Sequence, residues 1–178
     1  LSLSRDSDTT AGPERRVLST LLAELDGLKE KGEDNYVLTI AATNAPWDLD
    51  PASLSRFQTR IYIPLPDAEA RRQIIDIHLR GRGYAVDFPE ETLVSRTEAF
   101  GGRDIERLCN EAINLMIDEC NPEIPLRVDQ GPEAIRSYRL KICPIDRNHF
   151  EEAFKRVKVD RKRIEEMEKR FRAFSESY

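Results

Sequence analysis

Apolar positions recur at helical spacing near the start of the chain and again beyond Asp67, with two nearly continuous apolar runs between. Val17, Leu18, Leu21, Leu22, Leu25 and Leu28 predict an amphipathic helix over about 14–28. Pro13 stands where a helix starts, and Gly27 with the polar EKGED at 30–34 closes it. YVLTIAAT at 36–43 is β-branched and uncharged, which predicts a strand buried on both faces of a parallel sheet. RIYIPLP at 60–66 predicts a second short strand, ended by its prolines.

From Asp67 onward the period is helical. Ile74, Ile75, His78 and Leu79 stripe a helix with Asp67 as its N-cap, and GRG at 81–83 breaks it. A short helix is expected over 90–99, and a longer one over about 103–119 with Ile105, Leu108, Cys109, Ala112 and Met116 on one face. Residues 121–145 contain four prolines and a few β-formers, which predicts a loop or small hairpin. Phe150, Ala153, Phe154 and Val157 line the next helix; Ile164, Met167, Phe171 and Phe174 line the last, near 160–175. The expected fold class is α/β followed by all-α. The domains divide at the GRG turn into 1–80 and 81–178.

Composition narrows the function classes. With 178 residues and 39% apolar, the chain can fill a core as one domain or two small ones. Its charge of −5 argues against wrapping nucleic acid, and no apolar run approaches the roughly 20 residues of a membrane helix. No basic segment followed by an apolar stretch marks a secretory leader. Cys109, Cys120 and Cys143 are odd in number and lack CxxC spacing, so they read as reduced thiols of a cytoplasmic protein rather than a disulfide frame or zinc site. The first residue is Leu1 rather than Met, which reads as an excerpt.

Two segments carry candidate chemistry. The first predicted strand runs into Thr43-Asn44-Ala45-Pro46. A polar Asn at the carboxyl end of a parallel strand can bond a phosphate or orient a water, although the same residues also suit a simple turn. Arg56 lies in a polar connection before the second strand, where its permanently charged fork suits phosphate or a weak surface pair.

PERRVLSTLLAELDGL, TIAATN, LD-PA-(x)3-RF-(x)2-RIYIPLPD and FGGRDIERLCNEA, in that order, closely resemble the AAA family of ATPases across residues 13–120. The RF-(x)2-RIYIPLP spacing and the ending HFEEAFKRVKVDRKRIEEMEKRF resemble the branch holding katanin, spastin and the vacuolar-sorting ATPase, with an archaeal flavour. The resemblance implies the C-terminal part of an AAA+ αβα parallel-sheet domain plus a helical lid. GxxxxGK[ST] and an apolar strand ending in Asp-Glu, which serve phosphate and Mg2+ in the family, are absent here. The chain alone is therefore expected to be an inactive fragment and not to assemble into a stable hexamer, with the Mg2+ ligands elsewhere in a parent protein.

The same resemblance assigns roles to individual residues. Asn44 matches sensor 1, which senses the γ-phosphate of ATP. Arg56 matches an arginine finger acting on the neighbouring subunit, although the branch usually has a second Arg where this chain has Ser55. His78 matches a lid position touching the adenine nucleotide, against the plainer reading of a packed helix histidine. Gly102 and Arg103 open a lid helix where the wider class carries a sensor-2 Arg; the alternative is that Arg103 pairs with Asp104 or Glu106. Residues 4–12 correspond to a pore loop without an aromatic grip, and Arg15 and Arg16 to an interface position or a solvated face. Glu165–Lys169, Glu166–Arg170 and Glu168–Arg172 are candidate i,i+4 pairs on an exposed face. The implied parent is a homo-oligomeric ring, a hexamer, that binds ATP or ADP and remodels a protein substrate, with no membrane insertion and no nucleic acid. A different class, a non-hydrolysing ATPase-derived interaction or regulatory module, remains the alternative.

Overall fold

A computed structural model describes residues 20, 23–24 and 38–176. The helix expected over 14–28 lies outside them except for Thr20, Ala23 and Glu24, which are helical. The candidate pore loop, Arg15 and Arg16 lie outside them entirely. The chain divides into two compact units, residues 1–63 with 167–178, and 64–166. The GRG turn expected to part the domains falls inside the second unit.

In the first unit, the segments expected as strands carry no ladder pairing at 38–43 or 60–63. Leu38, Ile40, Ile61 and Ile63 are each about four-fifths exposed, at 83%, 81%, 80% and 83%. A strand buried on both faces needs ladder neighbours and two covering layers, and the described residues supply neither to these runs. Helix α1 (Pro51–Arg56) follows a single 3-10 turn at Pro46–Asp48. A six-residue helix cannot persist on propensity alone, so its ends must be held. The Asp50 carboxylate accepts from the Ser53 N–H at 3.0 Å and from the Ser53 hydroxyl at 2.9 Å, and Pro51 pre-sets the first helical φ.

The second unit forms around helix α4 (Gly102–Cys120), whose face of Ile105, Leu108, Cys109, Ala112, Ile113 and Met116 is buried. Helices α2 (Ala68–His78) and α7 (Arg147–Arg156) pack against it. Asp67 caps α2 as expected, accepting from the Ala70 N–H at 2.8 Å. The chain then passes a 3-10 turn at Arg80–Arg82 and leaves it through Gly83, whose φ of 86° suits glycine. Helix α3 (Glu90–Arg96) ends three residues earlier than the sequence pattern predicts. The Arg71 guanidinium stitches α2 to the end of α3, donating to the Val94 carbonyl at 3.2 and 3.3 Å and to the Pro66 carbonyl at 3.0 Å.

Residues 121–145 are helical turns rather than a hairpin. Helices α5 (Ile124–Asp129) and α6 (Pro132–Arg136) each carry proline in the first turn, where its missing N–H costs nothing, so these prolines start helices. The segment then returns to place β2 (Ile145–Asp146) parallel to β1 (Val86–Asp87), pairing Val86 with Ile145 and Asp87 with Asp146. Asn121, 1% exposed, anchors that return through the Ile117 and Lys141 carbonyls, the Lys141 N–H and the Tyr138 hydroxyl, all within 2.9 Å.

The return also brings Cys143 to Cys120, and the two are joined in a disulfide with Cα atoms 6.5 Å apart. The expectation of three reduced thiols is corrected: spacing along the chain does not report where a loop closes in space. Cys109 stays free, and burial pushes its thiol up to about 12. Helix α8 (Arg161–Glu176) ends the described chain. None of its three candidate i,i+4 pairs closes to ion-pair distance among the described residues, and no described helix is long and apolar enough to cross a membrane.

Two outcomes follow from these contacts. Asp50→Ala is expected to lose about 0.5–2 kcal/mol of local stability at α1, read as faster amide exchange at Ser53 and Leu54. A second concerns pH. Lys141 donates to Glu123 at 2.8 Å and, with backbone hydrogen bonding, holds that carboxyl at about 2, below its ordinary 4.5. The depressed value means that the pair adds stability above the ordinary carboxylate range and loses it as pH falls toward about 2. In denaturant titrations, Lys141→Met is expected to be less stable than the parent chain near neutral pH, the gap closing in acid.

Candidate functional site

Asn44 stands at an exposed bend between the apolar run 38–43 and the Pro46 turn. Just beyond it, the Thr43 hydroxyl accepts from the Ala45 N–H at 3.1 Å, which sets the direction in which the chain leaves the run. A carboxamide at such a bend offers both donor and acceptor to a ligand or a water.

Arg56 is the last residue of α1 and half-buried. Its Nη1 donates to the Ala52 carbonyl and to the Ser55 hydroxyl, both at 3.1 Å. Ser55 in turn donates to the Ala52 carbonyl at 2.8 Å. The residue that departs from the family pattern thus seats the guanidinium on its own helix end. Arg60 adds a bond from Nη2 to the Leu54 carbonyl at 3.0 Å, satisfying another carbonyl of the last turn. These contacts hold the end of the helix that carries Arg56.

In the second unit, His78 is the last residue of α2 and half-buried. Its Nδ1 is enclosed, with no hydrogen-bond partner among the described residues. A buried ring nitrogen without a partner is costly. Ile74, one turn earlier on the same face of α2, lies at the start of α4: a Cβ placed on Gly102 would meet Ile74 Cδ1 at 3.9 Å. His78 and Gly102 therefore lie along one α2–α4 seam. Space alone does not demand glycine at 102.

Arg103 is exposed and makes no ion pair or hydrogen bond among the described residues. The alternative pairing with Asp104 is not formed among the described residues; the Asp104 carboxylate accepts from the Gly101 N–H at 3.1 Å. That bond fixes the entry into α4 and places a carboxylate at its positive end. Ala99, with φ of 66°, turns the chain just ahead of it. A left-handed alanine costs of order 1 kcal/mol and bears no mark in sequence. Asn44 and Arg56 thus share the first unit, and His78, Gly102 and Arg103 share the second.

Sequence reading missed an aromatic cluster in the first unit. Trp47 meets Phe171 edge-on at 5.0 Å, Tyr62 stacks on Phe171 at 5.4 Å, and the Arg170 guanidinium lies 4.0 Å above Trp47. The signal available was the chain's single tryptophan, three residues after Asn44.

Comparison with known proteins follows from this geometry. Residues 1–65, which hold Asn44 and Arg56, match the family described as "ATPase family associated with various cellular activities (AAA)". The Cell division cycle protein 48 homolog of Archaeoglobus fulgidus is 42% identical over 167 residues, which is 92% of this chain and 22% of that protein. The katanin p60 ATPase-containing subunit A1 of Arabidopsis thaliana is 44% identical over 103 residues, 55% of this chain and 20% of that protein. Two crystal structures of the FIGL-1 AAA domain, one in complex with ADP, superpose on 92% of the chain. Their TM-scores are 0.66 and 0.68 at 30% and 28% identity, and the chain spans 51% and 52% of them. It spans about a fifth of the length of the two curated relatives. The described residues are helix-rich with one small parallel sheet, and the solved structures they superpose on are AAA domains. The chain is an AAA-family homologue, related over most of its length to katanin-like and Cell division cycle 48-like ATPases.

Proposed function

We propose that this chain supplies the sensor and finger elements, and the nucleotide-contacting helices of the lid, to a ring-forming AAA ATPase that remodels protein substrates. Its relatedness over most of its length to katanin-like and Cell division cycle 48-like proteins carries this reading. The solution of one FIGL-1 AAA domain with ADP supports an adenine nucleotide as the ligand.

The division of labour follows from the chemistry of each residue. Asn44 holds the attacking water or a γ-phosphate oxygen through its carboxamide. Arg56 supplies fixed positive charge to the transition state formed on a neighbouring subunit, after its Nη1 leaves Ala52 and Ser55. His78, at the end of α2, contacts the nucleotide, and Gly102 admits a close approach of ligand to the start of α4. Arg103, with no ion pair of its own among the described residues, is available to phosphate. Residues 64–166 act as the lid and the first unit as part of the larger domain, within a cytoplasmic hexameric ring. Among the described residues no group of three or more His, Cys, Asp or Glu is placed to hold a metal ion.

The test uses an ATP-hydrolysing assembly containing this chain. Arg56→Ala is expected to lower kcat by on the order of 10³–10⁵ with nucleotide affinity retained. His78→Ala is expected to raise the nucleotide Kd while leaving the finger's contribution intact. Gly102→Ala should leave folding stability unchanged, since only Ile74 Cδ1 meets the added methyl, so any loss of affinity reports ligand approach. Near-normal turnover in Arg56→Ala would make Arg56 a surface arginine, and an assembly that binds ATP without hydrolysing it would favour a regulatory module.

A further inference from the structure

Among the described residues, no strand ladder braces the backbone bearing Asn44 and Arg56. The runs on either side of α1 have no ladder partners among the described residues, and α1 is six residues long. Yet both flanks of α1 meet one side chain. Trp47, in the turn between Asn44 and α1, packs edge-on against the Phe171 ring at 5.0 Å. Tyr62, beyond the far end of α1, stacks on the same ring at 5.4 Å. Arg170 lies 4.0 Å above the Trp47 ring. Both distances fall in the range where aromatic pairs add to the burial of their area, and the guanidinium adds a cation–π contact.

We propose that the end of α8 positions the segment Asn44–Arg56, with Phe171 as a tie joining the chain before α1 to the chain after it. Phe171 and Arg170 are positioning residues in this view; neither touches nucleotide. Helix periodicity supports the arrangement, because Met167, Phe171 and Phe174 are half-buried on residues 167–176, with Glu168 beside Met167, while the other positions are exposed. Arg170 turns to Trp47, its candidate pair with Glu166 being unformed among the described residues, so the charge on this face serves the tie. A ring held on two sides removes freedom from both flanks at once: loosening either one releases the ends of α1 and with them the aim of Arg56. The inference rests on the roles proposed for Asn44 and Arg56, but its test does not depend on them.

The test uses the whole chain and reads the tie directly. Trp47 is the chain's single tryptophan, so its emission reports its surroundings without labelling. Phe171→Ala is expected to shift that emission to longer wavelength and to increase quenching by acrylamide. Amide exchange over 44–57 should quicken by on the order of fivefold, while exchange in Pro64–Glu166 stays unchanged. Phe171→Tyr, which keeps the ring, should restore both readouts. Unchanged emission and unchanged exchange at 44–57 would overturn the tie while leaving the ATPase reading standing. Faster exchange spread equally through both units would also overturn it, because Phe171 would then contribute to overall stability alone.

Discussion

One buried helix face sets the architecture of residues 64–166. Ile105, Leu108, Cys109, Ala112, Ile113 and Met116 of α4 are each at most 6% exposed, and an apolar face of that length must be covered from more than one side. Helix α2 covers it with Ile75 and Leu79, and α7 with Phe150 and Ala153, while Phe88 stacks on Phe150 at 5.4 Å. The remaining connections follow from that packing. The chain leaving α4 must come back to deliver β2 and α7, and Asn121, the Cys120–Cys143 bond and the Cys143 N–H to Met116 Sδ at 3.4 Å hold the return against the end of α4. The seam that carries His78 and Gly102 is one edge of this core, so the placement of these two residues is inherited from packing.

The helices were legible because their apolar period is strong and their ends are marked. Asp67 was read as a cap and accepts the expected N–H, and the face of α4 was read almost residue for residue. What sequence could not supply was pairing over distance. An apolar run such as 36–43 states a need for burial, not the identity of its neighbours, and Leu38 and Ile40 have none among the described residues. The β1–β2 pair is two residues long and joins chain segments on either side of α4, so it leaves no periodic signal. Prolines at 125 and 132 read as breakers because the rule for proline depends on whether a first turn is at hand. The disulfide failed for the same reason as the strands.

The candidate site was legible through the order of its motifs rather than through any single residue. Asn44 alone suits a turn, and Arg56 alone suits a surface pair. Their succession along the chain is what distinguished them. Geometry added what succession cannot: Ser55 seats Arg56 on its own helix, and the His78 Nδ1 is enclosed without a partner among the described residues. The contacts among Trp47, Tyr62 and Phe171 were not legible because aromatic residues far apart in sequence declare a preference for burial without naming each other. Helix α1, which carries Arg56, is short, and its orientation is a tertiary property.

Action across a subunit boundary is the central claim, and complementation between two disabled subunits measures it most directly. Subunits carrying Arg56→Ala bind ATP but lack the finger; subunits made unable to bind ATP keep the finger. Mixing the two in one assembly is predicted to restore hydrolysis well above the sum of the separate preparations, because each intact Arg56 reaches ATP held by its neighbour. Hydrolysis no greater than that sum, in rings verified to contain both subunits, would contradict the account.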